Sequence, residues 1–301
     1  MPILGSLRLE PFFIATMTLD DPLGNLYLAT LVGLSLFCGA TLLADKECKF
    51  ACIALSARAT AWDLSFLVPF AVCVAADWLQ GPYVYDLYDS YGYDRTTINA
   101  LFVVGFSASM VLGPPVGALA DRFGRKRMIL VGYCLVYAAA CVTKHFKTLW
   151  VLYMGRVFGG GATSVLFSCF ESWLVAEYRR RELGASKLQD TISRMYFVNG
   201  LSGILMGVIA NQGANAWPLA SVGGSAFHVG GVIVPFDMSF ACLCVGGLLV
   251  GLLWTGDSTV KPNDAASSLG LGSLQDAYLW LSREPLVLLL LAASALTEAA
   301  M

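Results

Sequence analysis

The sequence has little charge for its length. Asp, Glu, Lys and Arg make up 13% of its 301 residues, hydrophobic residues make up 57%, and the mean hydropathy is +0.68. A soluble globular protein usually has about 25% charged residues. So few charges cannot cover a soluble surface, which excludes one or two ordinary soluble domains. The net charge of −2 gives no sign of nucleic-acid binding, so no nucleic acid is expected as a partner.

Histidine is also scarce, and familiar catalytic patterns are missing. His145 and His228 are the only two histidines, so a histidine-based metal site is not expected. No cofactor is expected either. The sequence contains no nucleophile–base set, no phosphate-binding glycine loop and no nucleotide motif. Nine cysteines, an odd number, lie mostly within apolar runs, which favours buried hydrophobic roles over disulfides. These absences indicate that the protein is not an enzyme.

Long apolar runs are abundant, and they predict a helical membrane protein. A spanning helix needs about 20 apolar residues, and continuous rather than alternating runs indicate helices. The sequence predicts helices at residues 23–44, 61–88, 97–120, 127–145, 148–178, 187–212 and 230–255. A further run starts at Leu286 and is still apolar at Met301. We therefore expect the sequence to be part of a longer gene product.

A short basic segment at residues 117–128 separates two of these runs. It contains four basic residues and Asp121. A turn this basic lies outside the hydrocarbon, and by the positive-inside rule it faces the cytoplasm. Thirteen of the nineteen Lys and Arg residues then lie in cytoplasmic segments, and four lie in outer segments: Arg8, Arg95, Lys144 and Lys147. The N-terminus is predicted to be outside, and residues 256–285 form a cytoplasmic linker. Its amphipathic helix lies on the membrane or packs on the protein itself.

The same segment resembles the loop motif of the major facilitator superfamily of membrane transporters. That motif joins the second and third helices of the first six-helix bundle. The matching residues are Gly117, Asp121, Arg122, Gly124 and Arg125. The resemblance implies that Asp121 and Arg125 form a cytoplasmic clasp that helps to hold the outward-facing state.

Residues 75–85, 155–160 and 170–173 are similar to the eukaryotic molybdate-anion transporters within that superfamily. That family has an additional N-terminal helix. The implied fold is an all-α polytopic membrane helix bundle, the N-terminal six-helix half of a major facilitator fold preceded by one extra transmembrane helix. The implied parts are an outer segment 1–22, the extra helix 23–44, a six-helix bundle 61–255, the linker 256–285 and the start of the next helix at 286–301.

The resemblance implies a secondary active transporter of the cell membrane that takes up molybdate by alternating access. Its partners are then the molybdate anion and the lipid bilayer, with protons as the candidate coupling ion. Two alternatives remain open. One is a carrier of the same fold for an organic anion or a sugar. The other is a membrane protein that scaffolds or signals without transporting.

Two charged residues within predicted helices are the strongest site candidates, because charge in a bilayer usually faces a cavity or a partner. Asp77 shares a helix face with Gln80. It is interpreted as a cavity residue, carrying a proton or orienting an arginine, or as a buried acid bonded to a neighbouring helix. Arg156 shares a face with Gly160 and Thr163, and the glycine allows close helix approach. A planar guanidinium suits a tetrahedral oxyanion.

The remaining candidates are neutral donors and a second pair of charges. Pro82 predicts a break in its helix beside the candidate site. Glu171 and Arg194 lie at similar depths on antiparallel helices, which predicts that they pair, either as a gate or structural pair or at the substrate. The neutral donors proposed for the substrate are Gln80, Tyr83, Tyr85, Thr163 and Asn199.

Overall fold

A computed structural model describes residues 60–256 of the chain. These residues form six long helices, the first of them interrupted, and a small β-hairpin. The interrupted helix consists of α1 (Ala61–Gln80) and α2 (Tyr83–Ser90). The others are α3 (Arg95–Phe123), α4 (Arg125–Thr143), α5 (Leu149–Arg180), α6 (Ala185–Ala216) and α7 (Val234–Leu253).

Within the described residues, five helical stretches are long and apolar enough to cross a membrane. They are Ala61–Ser90, Arg95–Phe123, Arg125–Thr143, Ala185–Ala216 and Gly231–Leu253. The remaining helix, α5, has 32 residues and so extends about 48 Å at ~1.5 Å per residue. It is more polar because it carries Arg156, Glu171 and Glu177. The predicted all-α polytopic membrane bundle is confirmed.

The helix bounds lie close to those predicted from the apolar runs. The largest differences are at the end of α6, which reaches Ala216 instead of residue 212, and at the start of α7, which begins at Val234 instead of residue 230. The predicted outer segment 1–22, the extra helix 23–44, the run 286–301 and all but the first residue of the linker 256–285 lie outside the described residues. The division of the chain into those parts stays a prediction.

The break predicted at Pro82 is present. α1 ends at Gln80, Gly81 and Pro82 form a turn, and α2 starts at Tyr83. Proline has no backbone N–H to donate, so the helical hydrogen-bond pattern cannot continue through it. Gly81 and Pro82 keep right-handed helical φ and ψ angles, so the break interrupts the helical hydrogen bonds rather than the course of the backbone.

Close packing between α3 and α5 depends on a glycine. A Cβ atom at Gly160 would lie 2.3 Å from the carbonyl oxygen of Gly105, which is closer than any real side chain permits. α1 packs between α6 and α7, and α4 packs against α5 and α7. The predicted close helix approach at Gly160 is therefore confirmed, and its partner is the backbone of α3.

The two ends of the bundle differ in charge and structure. The end that carries Asp121–Arg127 and Arg179–Arg181 is called the basic end below. The opposite end carries strands β1 (Ala220–Ser221) and β2 (His228–Val229), which pair antiparallel between α6 and α7. It is called the hairpin end. Near the basic end, stacked aromatic rings fill the core, with Trp173 and Trp254 only 3.8 Å apart between ring centroids.

His145 fastens the hairpin to the turn that follows α4. Its carbonyl oxygen accepts a hydrogen bond of 2.7 Å from the backbone N–H of His228. Its ring nitrogens face two acceptors, the His228 carbonyl oxygen at 2.9 Å from Nδ1 and the Asp237 carboxylate at 2.9 Å from Nε2. Two acceptors favour a doubly protonated ring. The hydrogen bond to Asp237 accordingly raises the pKa of His145 above its ordinary value, against the opposing effect of burial.

This pair predicts that stability depends on pH. A raised folded-state pKa means that the stabilisation is fully present below the ordinary histidine value of about 6.5 and is lost as the pH rises through the folded value. Thermal unfolding of the protein in detergent, from about pH 6 to about pH 9, should show the midpoint falling across that window. His145→Gln should remove that part of the slope. A variant with the same slope as the wild type would contradict the prediction.

Gly160→Ala is expected to destabilise the fold. The added Cβ must push α3 away, and such overpacking typically costs about 1–3 kcal/mol. Gly200→Ala is the matched control, because nothing lies within 4 Å of a Cβ at Gly200. Thermal midpoints of the two variants in detergent decide the matter. We expect the Gly160 variant to unfold at lower temperature and the Gly200 variant to match the wild type. Equal midpoints would show that α3 and α5 have room to separate.

Candidate functional site

A cavity of about 600 Å³ lies among the α1–α2 segment, α3, α4 and α5. Its volume falls within the range of small-molecule sites, about 300–1,000 Å³. Phenylalanine and glycine residues form much of its wall. Its polar lining residues are Gln80, Ser109, Tyr137, Lys144, Arg156 and Thr163. Two of them are basic and none is acidic, so the described lining is suited to an anion.

Arg156, on α5, reaches across to α3. Its Nε donates a hydrogen bond of 3.1 Å to the Leu101 carbonyl oxygen, and its guanidinium lies 4.8 Å from the centre of the Phe102 ring. Gly105 makes the room for it, because a Cβ there would lie 2.6 Å from Nη2. No carboxylate of the described residues is within ion-pair distance of Arg156. The arginine is therefore held in place without being neutralised.

Lys144 is the second cation in the cavity wall, and its side chain was not predicted to be there. Sequence reasoning placed it in an outer segment, whereas it is only 2% exposed, just after α4. Its Nζ donates to the Tyr88 hydroxyl at 2.8 Å and lies 5.1 Å from that ring's centre. Arg156 interacts with the same hydroxyl group. The spacing Tyr137, Ala140, Lys144 puts the three residues on one helix face, a signal that was available in the sequence.

Asp77 stands beside the cavity rather than in its lining. Its Oδ1 accepts a hydrogen bond of 2.6 Å from the Tyr137 hydroxyl, and Tyr137 itself lines the cavity. No ion pair joins Asp77 to Arg156 in the described chain. Of the alternatives for Asp77, the hydrogen bond to a neighbouring helix is present and the pairing with Arg156 is not. The carboxyl group remains close to the cavity through one tyrosine.

Two predicted neutral donors, Gln80 and Thr163, line the cavity. Gln80 Nε2 donates to the Ser239 hydroxyl at 3.1 Å, and the Thr163 hydroxyl donates to the Gly159 carbonyl oxygen at 2.7 Å. Both donors thus have partners within the protein already. These residues shape the cavity, whereas its basic groups are Arg156 and Lys144.

The other predicted neutral donors lie elsewhere. The Tyr83 hydroxyl donates to Asn211 at 3.2 Å, which ties α2 to α6. Tyr85 is 41% exposed and does not line the cavity. Asn199 accepts a hydrogen bond of 2.9 Å from the Trp78 ring and borders a separate small hollow. The sequence does not fix how each helix is rotated about its axis. In the structure, that rotation places these residues away from Arg156.

The predicted pair of Glu171 and Arg194 is wrong. Arg194 forms its ion pair with Asp63 at the start of α1, with 3.3 Å between Nη1 and Oδ2. Glu171 accepts a hydrogen bond of 3.3 Å from Tyr196 instead. Similar depth in two helices was not sufficient, because the side chains face different neighbours. Arg194 lines a second pocket, of about 560 Å³, at the basic end.

The loop residues of the sequence motif form a tight connection at the basic end. Arg125 and Asp121 make an ion pair of 2.6 Å across the turn between α3 and α4. Gly124 has φ +98°, a value that favours glycine, and it lets α4 start directly after α3. Arg122 lies over the Phe123 ring, and nothing lies within 4 Å of a Cβ at Gly117. The structure therefore contains an ion pair between the two residues that the resemblance singles out, and both belong to this one connection.

A family model described as sugar transporters, 12 TM, matches residues 26–301. A molybdate-anion transporter of Xenopus laevis is 39% identical over 151 residues, which is 50% of this chain and 33% of that protein. A molybdate-anion transporter of Takifugu rubripes is 30% identical over 223 residues, 73% of this chain and 44% of that protein. A D-xylose transporter of Levilactobacillus brevis is 23% identical over 151 residues, 48% of this chain and 31% of that protein.

The chain thus spans less than half the length of each of these relatives. The predicted resemblance to major facilitator transporters of the molybdate-anion type is confirmed. The matched region includes all the cavity residues described above.

Proposed function

This chain belongs to the major facilitator family of membrane transporters, and we propose that its cargo is the molybdate anion. It is a transporter and not an enzyme. The observation that carries the proposal is a cavity within a membrane bundle that holds Arg156 with no carboxylate beside it in the described chain. Two relatives named molybdate-anion transporters support the choice of cargo.

The charge of the cavity favours an anion over a sugar. A neutral sugar would leave the charge of Arg156 unbalanced in a region of low dielectric, where an isolated charge is costly. An oxyanion balances that charge, and a guanidinium donates to two oxygens at once. The sugar carrier nevertheless remains the second candidate, because the family description and one relative name sugars. A non-transporting scaffold or signalling role is the third.

We further propose that uptake is secondary active and is coupled to protons through Asp77. A carboxylate near the cavity repels an arriving anion, and protonation of Asp77 removes that repulsion. The hydrogen bond from Tyr137 holds the carboxyl group beside the cavity wall. Proton and anion then enter together, and alternating access of two bundles about this site carries both across. The ion pair of Asp121 and Arg125 acts as the clasp at the basic end.

The proposed placement in the cell membrane follows the positive-inside rule. The basic end, which includes residues 121–128, faces the cytoplasm, as does the linker 256–285. The hairpin end and the N-terminus face outward. The six helices of residues 61–255 then form the first bundle of a transporter, after an extra helix at 23–44.

Arg156→Gln is expected to abolish most molybdate uptake. Arg156 and the bound anion would form a desolvated pair of opposite charges. Losing one member of such a pair costs about 2 kcal/mol or more, so the efficiency of uptake should fall by at least about thirtyfold. The measurement is uptake of labelled molybdate into cells that lack their own carrier and express the intact gene. Arg95→Gln is the matched control, because Arg95 is an exposed arginine outside the cavity.

An Arg156→Gln variant with normal uptake would remove Arg156 from the cargo site. No uptake by the well-folded wild type would refute the molybdate proposal itself. If sugars are the only solutes that compete for uptake, the second candidate, a sugar carrier, would be favoured.

Asp77→Asn is expected to make uptake insensitive to pH. The amide cannot gain or lose a proton, so it mimics the protonated acid at every pH. Uptake rates should be compared between about pH 5.5 and pH 8, where wild-type uptake should fall as protons become scarce. Asp89→Asn, at an exposed carboxylate, is the control. An Asp77→Asn variant that keeps the wild-type profile would exclude Asp77 as the proton carrier.

A further inference from the structure

Two basic side chains, the buried Lys144 and the half-buried Arg156, share the cavity, and no carboxylate of the described chain pairs with either of them. Lys144 is buried, and burial together with the nearby charge of Arg156 lowers the pKa of Lys144 to about 7. Neither has a carboxylate within ion-pair distance among the described residues. Buried cations are normally paired, because burying a charge without a partner is costly. Two basic side chains without a carboxylate partner in one cavity predict a ligand that supplies two negative charges.

We propose that Lys144 is the second cation of the anion site and that it sets the preference of the site for doubly charged over singly charged tetrahedral oxyanions. The inference rests on the proposed function, since it assigns a role at the same site. Shape cannot make this distinction, because tetrahedral oxyanions of equal size carry either one or two charges. A second fixed cation can.

The contacts hold Lys144 in position for this role. Tyr88 lies between the two cations, accepting a hydrogen bond of 2.8 Å from Nζ of Lys144 and interacting with Arg156. The carbonyl oxygen of Lys144 accepts a hydrogen bond of 2.6 Å from the Tyr91 hydroxyl, which fixes the backbone. An ammonium group has three N–H donors, and the described chain gives Nζ one acceptor. The remaining donors are available to ligand oxygens in the cavity.

The charges of the site match a dianion. Arg156 and Lys144 come from different helices, α5 and the end of α4, so they reach the ligand from two sides. A bound dianion then has one cation for each negative charge, and it favours the protonated form of Lys144. A monoanion leaves one of the two cations unbalanced. Without the lysine charge, the single remaining cation would suit a monoanion better.

The test uses tungstate and perrhenate, two tetrahedral oxyanions of similar size with charges of −2 and −1. Their dissociation constants are measured by calorimetry on the purified product of the intact gene in detergent. The wild type should bind tungstate more tightly than perrhenate. Lys144→Met should lower the tungstate-over-perrhenate ratio by about tenfold or more, since one charge–charge interaction at low dielectric is lost for the dianion. Lys144→Arg, which keeps the charge, should retain the preference.

Lys147→Met is the matched control, because Lys147 is exposed three residues away and does not line the cavity. Its ratio should equal that of the wild type. A wild type that binds tungstate while Lys144→Met leaves the ratio unchanged overturns the role of Lys144 and leaves the proposed cargo intact. If Lys144→Arg loses the preference for tungstate as fully as Lys144→Met does, the role of Lys144 is likewise overturned and the proposed cargo is left intact. A wild type that binds neither anion overturns both proposals.

Discussion

The cost of burying positive charge inside a membrane bundle governs this structure. Arg156 and Lys144 are kept in a cavity wall where the described chain offers no carboxylate to balance them. Such charges are usually found where a ligand or a partner offsets the free-energy cost of their desolvation. The supporting features follow from that requirement. Gly105 leaves space for the guanidinium, and Tyr88 gives both cations a neutral contact.

Glycine and proline place these side chains by changing the backbone. Gly160 allows α5 to approach the backbone of α3, so that Arg156 on α5 reaches Leu101 on α3. The break before Pro82 separates α1 from α2 at the level of the cavity. The ends of the bundle are fastened separately, by the ion pair across the loop at the basic end and by His145 at the hairpin end. The cavity thus lies between two ends that are each held by their own contacts.

The positions of the helices and the place of Arg156 inside the bundle could be predicted from the sequence, because both depend on hydrophobicity along the chain. A charged residue in the middle of an apolar run is recognisable without tertiary structure. Lys144 was missed because it follows the end of such a run, where a lysine usually reaches the membrane surface. The partner of Arg194 was missed because Asp63 is distant in sequence and depth in the bilayer does not fix which way a side chain faces. Helix rotation and long-range pairing require tertiary structure.

The position of a bound dianion tests the central claim most directly. Tungstate scatters strongly, so a structure of the full-length protein determined with tungstate would locate the ion without ambiguity. A tungstate in the cavity, contacting both Arg156 and Lys144, is the predicted result. A tungstate bound instead in the basic-end pocket beside Arg194, with the cavity holding none at saturating concentration, would contradict it.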